Sequence, residues 1–168
     1  MKFKKFYDPY AELLARLNRL RVEYLVVGMA GINYYAASAR EAFATQDFDI
    51  FVNPTISNVH KALSVLTKLG YDIAVNAKRL DKAGVKDAVS HKKTIVASNP
   101  YGILFELILS VSGYTFAQMA CDARVFTSGK TPIKVAQLQK LLRSKKLAGR
   151  KKDMLFLERY EILLKEQQ

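Results

Sequence analysis

Residues 45–52 read TQDFDIFV, and from Asp47 onward acidic and apolar side chains alternate along this segment. In a β-strand, residues two positions apart point to the same face, so Asp47 and Asp49 are expected to project together. The ~3.3 Å rise per residue places their Cα atoms roughly 6–7 Å apart. The apolar residues of the other face are expected in the core, namely Phe48, Ile50 and Val52. Two neighbouring carboxylates repel unless a cation lies between them, and Mg²⁺ or Mn²⁺ suits oxygen ligands. The alternative is a strand end with two solvated acids.

A third carboxylate, Glu106, lies inside the apolar run ILFELIL, residues 103–109. A lone carboxylate in a buried strand is costly unless it is paired or bound to a metal ion. On a strand beside residues 47–52, it would complete a two-metal clamp. Two alternatives stay open: a core glutamate paired with Lys or Arg, and an edge-strand glutamate that points to solvent.

A glycine turn precedes these acids along the chain. Gly28 follows a predicted short strand, residues 24–27, and precedes a predicted helix over 32–35. Backbone N–H groups at such a turn, together with the positive helix end, can hold phosphate oxygens. Glycine turns are frequent, so the signal rests on its position, 19 residues before Asp47.

The rest of the chain mixes helical and strand patterns, which predicts an α+β class in one domain, residues 1–168. Helices are expected up to Arg21 and over 57–69, 116–120, 135–147 and 153–166. Further strands are expected over 71–75, 94–97 and 103–110, with a small hairpin around Ser128-Gly129. Residues 76–90 are polar and are interpreted as a mobile surface loop or a hairpin tip.

Charge and cysteine content restrict the partners and the compartment. The net charge is +12 with a pI of about 9.8, which indicates a polyanionic partner. Cys121 is the single cysteine, so an internal disulfide is impossible, as is typical of a reducing cytoplasm. The basic start, residues 1–6, precedes no apolar segment, and no apolar run reaches membrane-spanning length. We therefore expect a cytoplasmic protein without a membrane segment.

Residues 130–152 carry nine basic side chains and no acidic one. Such a run can neutralise an RNA backbone, with strongly salt-dependent binding. These residues are Lys130, Lys134, Lys140, Arg143, Lys145, Lys146, Arg150, Lys151 and Lys152. A small cationic acceptor would prefer acidic walls, whereas an acidic partner protein would also suit this run.

Taken in order, these features resemble the polymerase-β-like nucleotidyltransferase superfamily, in particular the small prokaryotic minimal nucleotidyltransferases and AbiEii-type toxins. The similarity runs from about residue 24 to 160. It rests on a valine-glycine turn, a Thr-x-Asp-x-Asp strand, an acid-bearing strand followed by Ser-x-Ser-Gly, and a helix with Lys followed by a Gly-Arg-x-Lys-Asp segment. The matching stretches are 27–30, 45–49, 106–113, Lys145 and 149–153.

The resemblance implies a single-domain nucleotidyltransferase fold, in which a mixed twisted sheet is flanked by helices. The core would span about 24–126, followed by a C-terminal basic helical part, about 130–168. It implies an enzyme that transfers a nucleotide from a nucleoside triphosphate to a hydroxyl, with RNA or tRNA as the acceptor. It is also compatible with a role as a toxin that has an antitoxin partner. Asp47, Asp49 and Glu106 would be catalytic and hold two Mg²⁺ or Mn²⁺ ions. The residues that would contact the nucleotide or the acceptor are Gly28, Met29, Thr45, Lys145 and Arg150.

Departures from the family pattern keep a second hypothesis open. Met29 stands where Gly or Ser is usual, and Phe43 falls where an arginine is expected, with Arg40 the nearest candidate. The alternative is a catalytically weak binding module or an antitoxin that binds nucleotide, RNA or a partner protein. For Lys145 and Arg150, the alternative to a phosphate contact is a solvated helix face.

Overall fold

The fold, seen in a computed structural model, is described for residues 9–37 and 41–166; the basic residues 1–6 and Arg40 lie outside these ranges. The helices are α1 (Pro9–Arg19), α2 (Gly28–Asn33), α3 (Ile56–Lys68), α4 (Lys82–Ser90), α5 (Phe116–Ala120), α6 (Leu138–Ala148) and α7 (Lys151–Glu166). The strands are β1 (Tyr24–Val26), β2 (Asp47–Val52), β3 (Asp72–Val75), β4 (Lys78–Arg79), β5 (Ile95–Ser98), β6 (Leu104–Ile108), β7 (Arg124–Ser128) and β8 (Thr131–Val135). The α+β class predicted from the sequence is confirmed.

One mixed sheet contains all eight of these strands, in the order β4-β3-β5-β6-β2-β1-β8-β7. The central strand β2 runs parallel to β6 and antiparallel to β1. β1 pairs in parallel with β8, and β7 and β8 form an antiparallel hairpin at one edge. The two acid-bearing strands are therefore direct neighbours in the middle of the sheet.

Helices cover both faces of the sheet, as predicted. On one face, α1, α3 and α4 pack on the apolar side of β2, with Phe48, Ile50 and Val52 at most 7% exposed. On the other face, α5, α6 and α7 pack around Phe51, which lies on the same face as Asp47 and Asp49. The acids therefore face the layer that carries the C-terminal helices.

Residues 76–90 differ from the sequence interpretation. β4 pairs with β3 as a short hairpin, but α4 follows it as a two-turn helix. Asp81 is its N-cap and accepts a hydrogen bond from the Gly84 N–H at 2.7 Å. Val85 and Ala88, three positions apart, are buried against the core. The polar residues Lys82 and Lys86 are exposed on the solvent side of this helix.

The observed bounds of other elements also differ from the predicted ones, as two examples show. Val135, predicted to begin a helix, is instead the last residue of β8, and α6 starts at Leu138. Helix α2 begins at Gly28 itself rather than at Ile32. None of the helices in the described ranges is long and apolar enough to cross a bilayer; the longest, α7, has 16 residues.

Candidate active site

The register between β2 and β6 brings the acids of two distant segments together. Asp49 lies directly opposite Glu106, and Asp47 lies opposite Leu104. Opposite residues of neighbouring strands point to the same face. Asp47, Asp49 and Glu106 therefore share one face, and Asp49 lies between the other two.

Asp49 is in an unusual electrostatic position. Its Oδ1 atom is buried and accepts no hydrogen bond from the described residues. Burial, followed by the neighbouring charges of Glu106 and Asp47, raises the pKa of Asp49 to about 7, and Lys145 opposes this shift. A carboxylate with one buried oxygen that accepts no hydrogen bond from the described residues, beside two other acids, is a site that attracts a proton or a cation.

Gly28 forms the wall opposite Asp49. Its φ of +63° lies in the left-handed region, and a Cβ at this position would collide with Asp49 Oδ2. The Val27 N–H donates to the Asp49 carbonyl at 3.0 Å, which fixes this close approach. Val27 is also the N-cap of α2, and its side chain accepts no hydrogen bond from the N–H groups of the first turn.

Contacts of Phe43 and Thr45 fix the loop that leads into β2. The Asn33 side chain donates to the Phe43 carbonyl at 2.8 Å and accepts from the Phe43 N–H at 2.9 Å. The Phe43 ring packs edge-on against Phe156 of α7, with centroids 4.7 Å apart. The Thr45 hydroxyl donates to the Asp47 carbonyl at 2.9 Å. These contacts determine where β2 begins and therefore where Asp47 lies.

Two cations from the C-terminal helices meet at one buried acid, Asp153, which is 1% exposed. Lys145 Nζ lies 3.2 Å from Asp153 Oδ1, and Arg150 Nε lies 2.6 Å from Asp153 Oδ2. Burial raises the pKa of Asp153, but the hydrogen bonds from Arg150 and Lys145 outweigh it and hold the pKa below its usual value. The side chain of Lys145 is 14% exposed, so it is not on a solvated helix face, whereas that of Arg150 is 60% exposed.

These groups line one cavity of about 580 Å³, which we call the acid cavity. Every site residue expected from the sequence lies on its wall. They are Gly28, Met29, Thr45, Asp47, Asp49, Glu106, Lys145 and Arg150. Glu106 is half-buried, and within the described ranges it forms no salt bridge with Lys or Arg.

The chemistry of this donor set fits a divalent cation. Three carboxylates on one face, one with an orphaned buried oxygen, are the hard ligands that Mg²⁺ or Mn²⁺ requires. As they stand, no three Asp, Glu, His or Cys side chains of the described residues are grouped closely enough to hold a metal ion. Asp49 and Glu106 form the closer pair, since they also interact through their carboxyl groups.

Several residues of the site carried no clear signal in the sequence. Asn33 and Phe43 act through backbone and ring contacts between segments that are distant along the chain. Gly31 lies where a Cβ would approach the Val26 carbonyl at 3.0 Å and Leu141 at 3.2 Å, which lets α2 pack closely on β1 and α6. Asp153 also contacts Lys145, and this contact depends on the turn at Gly149.

Comparison with known proteins adds no assignment to this geometry. No protein-family model matches the chain, and no curated protein matches it.

Proposed function

We propose that this chain is a metal-dependent nucleotidyltransferase that moves a nucleoside monophosphate from a nucleoside triphosphate to a hydroxyl group. One observation carries the proposal: Asp49 and Glu106 lie side by side on parallel strands, across a close glycine turn and in the same cavity as two cations. Anionic and cationic walls together suit a substrate that arrives as a metal–triphosphate complex.

The acidic and the basic residues of the cavity would have different roles. Asp47, Asp49 and Glu106 would hold Mg²⁺ or Mn²⁺, which when bound neutralises triphosphate charge and lowers the pKa of a hydroxyl. The Gly28 turn lets phosphate oxygens approach backbone N–H groups, with Met29 and Thr45 beside them. Lys145 and Arg150 supply positive charge on the opposite wall.

The reaction is an in-line displacement. The acceptor oxygen forms a bond to the α-phosphorus, the bond from that phosphorus to the bridging oxygen breaks, and pyrophosphate leaves with the electron pair. The acceptor proton would go to the carboxylate of Glu106, which lies opposite Asp49 on the neighbouring strand.

RNA is the acceptor that the charge distribution favours. Lys152 lines the acid cavity next to Arg150, and Lys146 and Lys151 are exposed on the adjoining surface of α6 and α7. A polyanion laid along this surface would bring a terminal hydroxyl towards the acids. A tRNA substrate, a role as a toxin and a cytoplasmic location belong to the same proposal.

The test is label transfer. The chain is incubated with each α-³²P-labelled nucleoside triphosphate, Mg²⁺ and total cellular RNA, alongside Asp47→Asn, Asp49→Asn and the control Asp72→Asn, an exposed strand carboxylate. We expect label on RNA with the wild type and the control, and a loss of at least 100-fold in the two site variants. Equal labelling by Asp49→Asn and wild type would remove Asp49 from the reaction.

A binding module without transfer activity, including an antitoxin, is the second candidate. Two observations support this second candidate. The carboxylates of the described residues are not grouped closely enough to hold a metal ion as they stand. In addition, Met29 occupies the turn position at which the family pattern has Gly or Ser. Thermal melting separates the two candidates. Binding of Mg²⁺ and nucleotide that stabilises wild type but not Asp47→Asn, with no label transferred to RNA or protein, would support the binding module.

A further inference from the structure

A second cavity of about 540 Å³ lies at the other end of the same sheet face; we call it the edge groove. Among the described residues, its lining shares no residue with the acid cavity. Its apolar floor consists of Val22, Leu25, Phe116, Ala120, Ala123 and Val125. The groove crosses from β1 to β7, the last strand of the sheet, where Val125 is 60% exposed.

Among the residues that the structure describes, no strand pairs with the outer side of β7. Ser128 and Thr131 close the two-residue turn of the β7–β8 hairpin and therefore form a hydrogen-bonded pair. The alternation of an antiparallel ladder then turns the N–H and C=O groups of Val125 and Thr127 away from β8. Pro132, opposite Thr127, agrees with this pattern, since its carbonyl accepts from Asn18 Nδ2 at 2.7 Å rather than from β7.

The surroundings of the groove and of β7 are basic. Arg21 and Lys134 line the groove, Arg124 begins β7 and Lys130 lies in the hairpin turn. None of these four forms an ion pair with another described residue. One acid, Glu23, also lines the groove and accepts from the neutral amide of Asn53 at 2.9 Å, whereas Asp122 nearby pairs with Lys140 at 2.6 Å.

We propose that β7 and the edge groove bind an extended acidic segment of a partner protein, which adds to the sheet as a ninth strand. Its backbone would pair with the free N–H and C=O groups of Val125 and Thr127. Alternate apolar side chains would lie on the Val125 side, in the groove, and acidic side chains on the other face would meet Arg124. Arg21 and Lys134 lie on the groove side and add to the positive field that attracts a negatively charged segment.

Two other occupants fit less well. A second copy of this chain would bring another +12 charge to an edge that is already basic. RNA would match the charge, but it offers no backbone ladder for a strand edge and no aliphatic side chains for the apolar floor. The other sheet edge is less suited, because β4 has only two residues, Lys78 and Arg79, and both are charged and exposed.

The probe is a fluorescein-labelled ten-residue peptide of alternating valine and glutamate, compared with the matching valine–lysine peptide. Val125→Pro removes the outward N–H without removing a β7–β8 hydrogen bond, so an edge strand tolerates it. Val125→Ile is the matched control that keeps the N–H. We expect the acidic peptide to bind wild type and Val125→Ile within twofold, and both Val125→Pro and Arg124→Glu at least tenfold more weakly.

A second readout does not depend on any variant. In wild type, the acidic peptide should slow amide hydrogen exchange of Val125 and Thr127 at least tenfold, while the amides of β4 stay unchanged. The proposal is overturned if the acidic peptide does not bind, if Val125→Pro binds it as well as Val125→Ile, or if the lysine peptide binds equally well. A dimer, or a single-stranded oligonucleotide complex, that Val125→Pro abolishes would assign the edge to that occupant instead. Because Asp47→Asn leaves this edge intact, its effect on label transfer tests the proposed activity separately.

Discussion

Gly28 combines a positive φ with a position at which an added Cβ would collide with Asp49 Oδ2. We predict that Gly28→Ala abolishes nucleotide transfer and lowers the free energy of unfolding by about 2–4 kcal/mol, since it adds steric conflict to backbone strain. The matched control is Gly129→Ala, where φ is +59° and no atom lies within 4 Å of a new Cβ. Urea denaturation of both variants separates the backbone strain from the steric conflict. The control should lose about 1 kcal/mol of its free energy of unfolding, and an equal loss in Gly28→Ala would contradict the contact with Asp49.

Asp49 is expected to weaken the fold at neutral pH. Its pKa is raised in the folded state to about 7 from 3.8, so the folded chain keeps a proton that the unfolded chain loses. Its contribution to stability is therefore intact below pH 4 and declines as the pH rises through 7. We predict that Asp49→Asn is more stable than wild type at pH 8, by at most about 4 kcal/mol for a pKa raised by about three units, and nearly equal to wild type at pH 4.

Urea denaturation at both pH values, without divalent cations, measures this difference. The control Asp72→Asn, an exposed strand residue, should stay within about 0.5 kcal/mol of wild type throughout. Millimolar Mg²⁺ should reduce the stability difference between wild type and Asp49→Asn at pH 8, because a bound cation favours the charged form of Asp49. A variant less stable than wild type at pH 8 would show that the carboxylate is not held at an energetic cost.

At the scale of elements, the strands of the site were the most predictable part. Strand β2 has the predicted bounds, because its alternation of acidic and apolar residues meets a helix layer on one face and the cavity on the other. Helix α5 also has its predicted bounds, and the Thr115–Gln118 capping box explains its start. Helix α4 was missed because only two of its residues, Val85 and Ala88, are buried. A weak apolar stripe between many lysines does not distinguish a surface helix from a loop.

The junction of α6 and α7 depends on the ion pairs of Asp153. Lys145 is nearly buried, so removing its partner leaves an uncompensated charge. We predict that Asp153→Ala lowers the free energy of unfolding by about 3–5 kcal/mol and also weakens nucleotide binding. The stabilisation from Asp153 is present above its usual pKa of 3.8 and is lost as the pH falls through its lowered folded value.

The exposed aspartate Asp87 supplies the comparison. It pairs with Lys93 at 2.7 Å on the solvent side of α4, where ion pairs contribute little. Asp87→Ala should therefore change the midpoint of urea unfolding only slightly and leave nucleotide binding unchanged. Similar losses of unfolding free energy in Asp153→Ala and Asp87→Ala would mean that burial does not strengthen the α6–α7 contact.

For the whole molecule, the charge on the two helix layers should decide how RNA binds. We predict that replacing Lys146, Lys151 and Lys152 by alanine lowers the slope of log affinity against log salt by about 2, since each single-strand phosphate contact contributes about 0.7. The control removes the same charge from the other layer, at the exposed residues Lys61, Lys68 and Lys86. Fluorescence anisotropy with a single-stranded RNA at several salt concentrations gives both slopes, and equal slopes would indicate binding by net charge alone.

The candidate site was predictable in its residues but not in its packing. Asp47 and Asp49 follow from strand periodicity, and Glu106 follows from the cost of a carboxylate in an apolar run. Their side-by-side placement depends on the parallel pairing of β2 with β6, which no local pattern specifies. The Asn33–Phe43 clamp and the Lys145–Asp153 contact depend on tertiary packing in the same way.

The pairing of Asp49 with Glu106 also has a consequence during synthesis on the ribosome. The two acids are 57 positions apart along the chain, and Lys145, Arg150 and Asp153 follow later still. Chains emerge from the N-terminus onward, and strands with distant partners form late. A nascent chain can therefore complete β1 and β2 while its third acid and both cations are still missing. The proposed active site closes only after Asp153 has left the ribosome, so a growing chain that stops before Asp153 cannot carry out the proposed transfer.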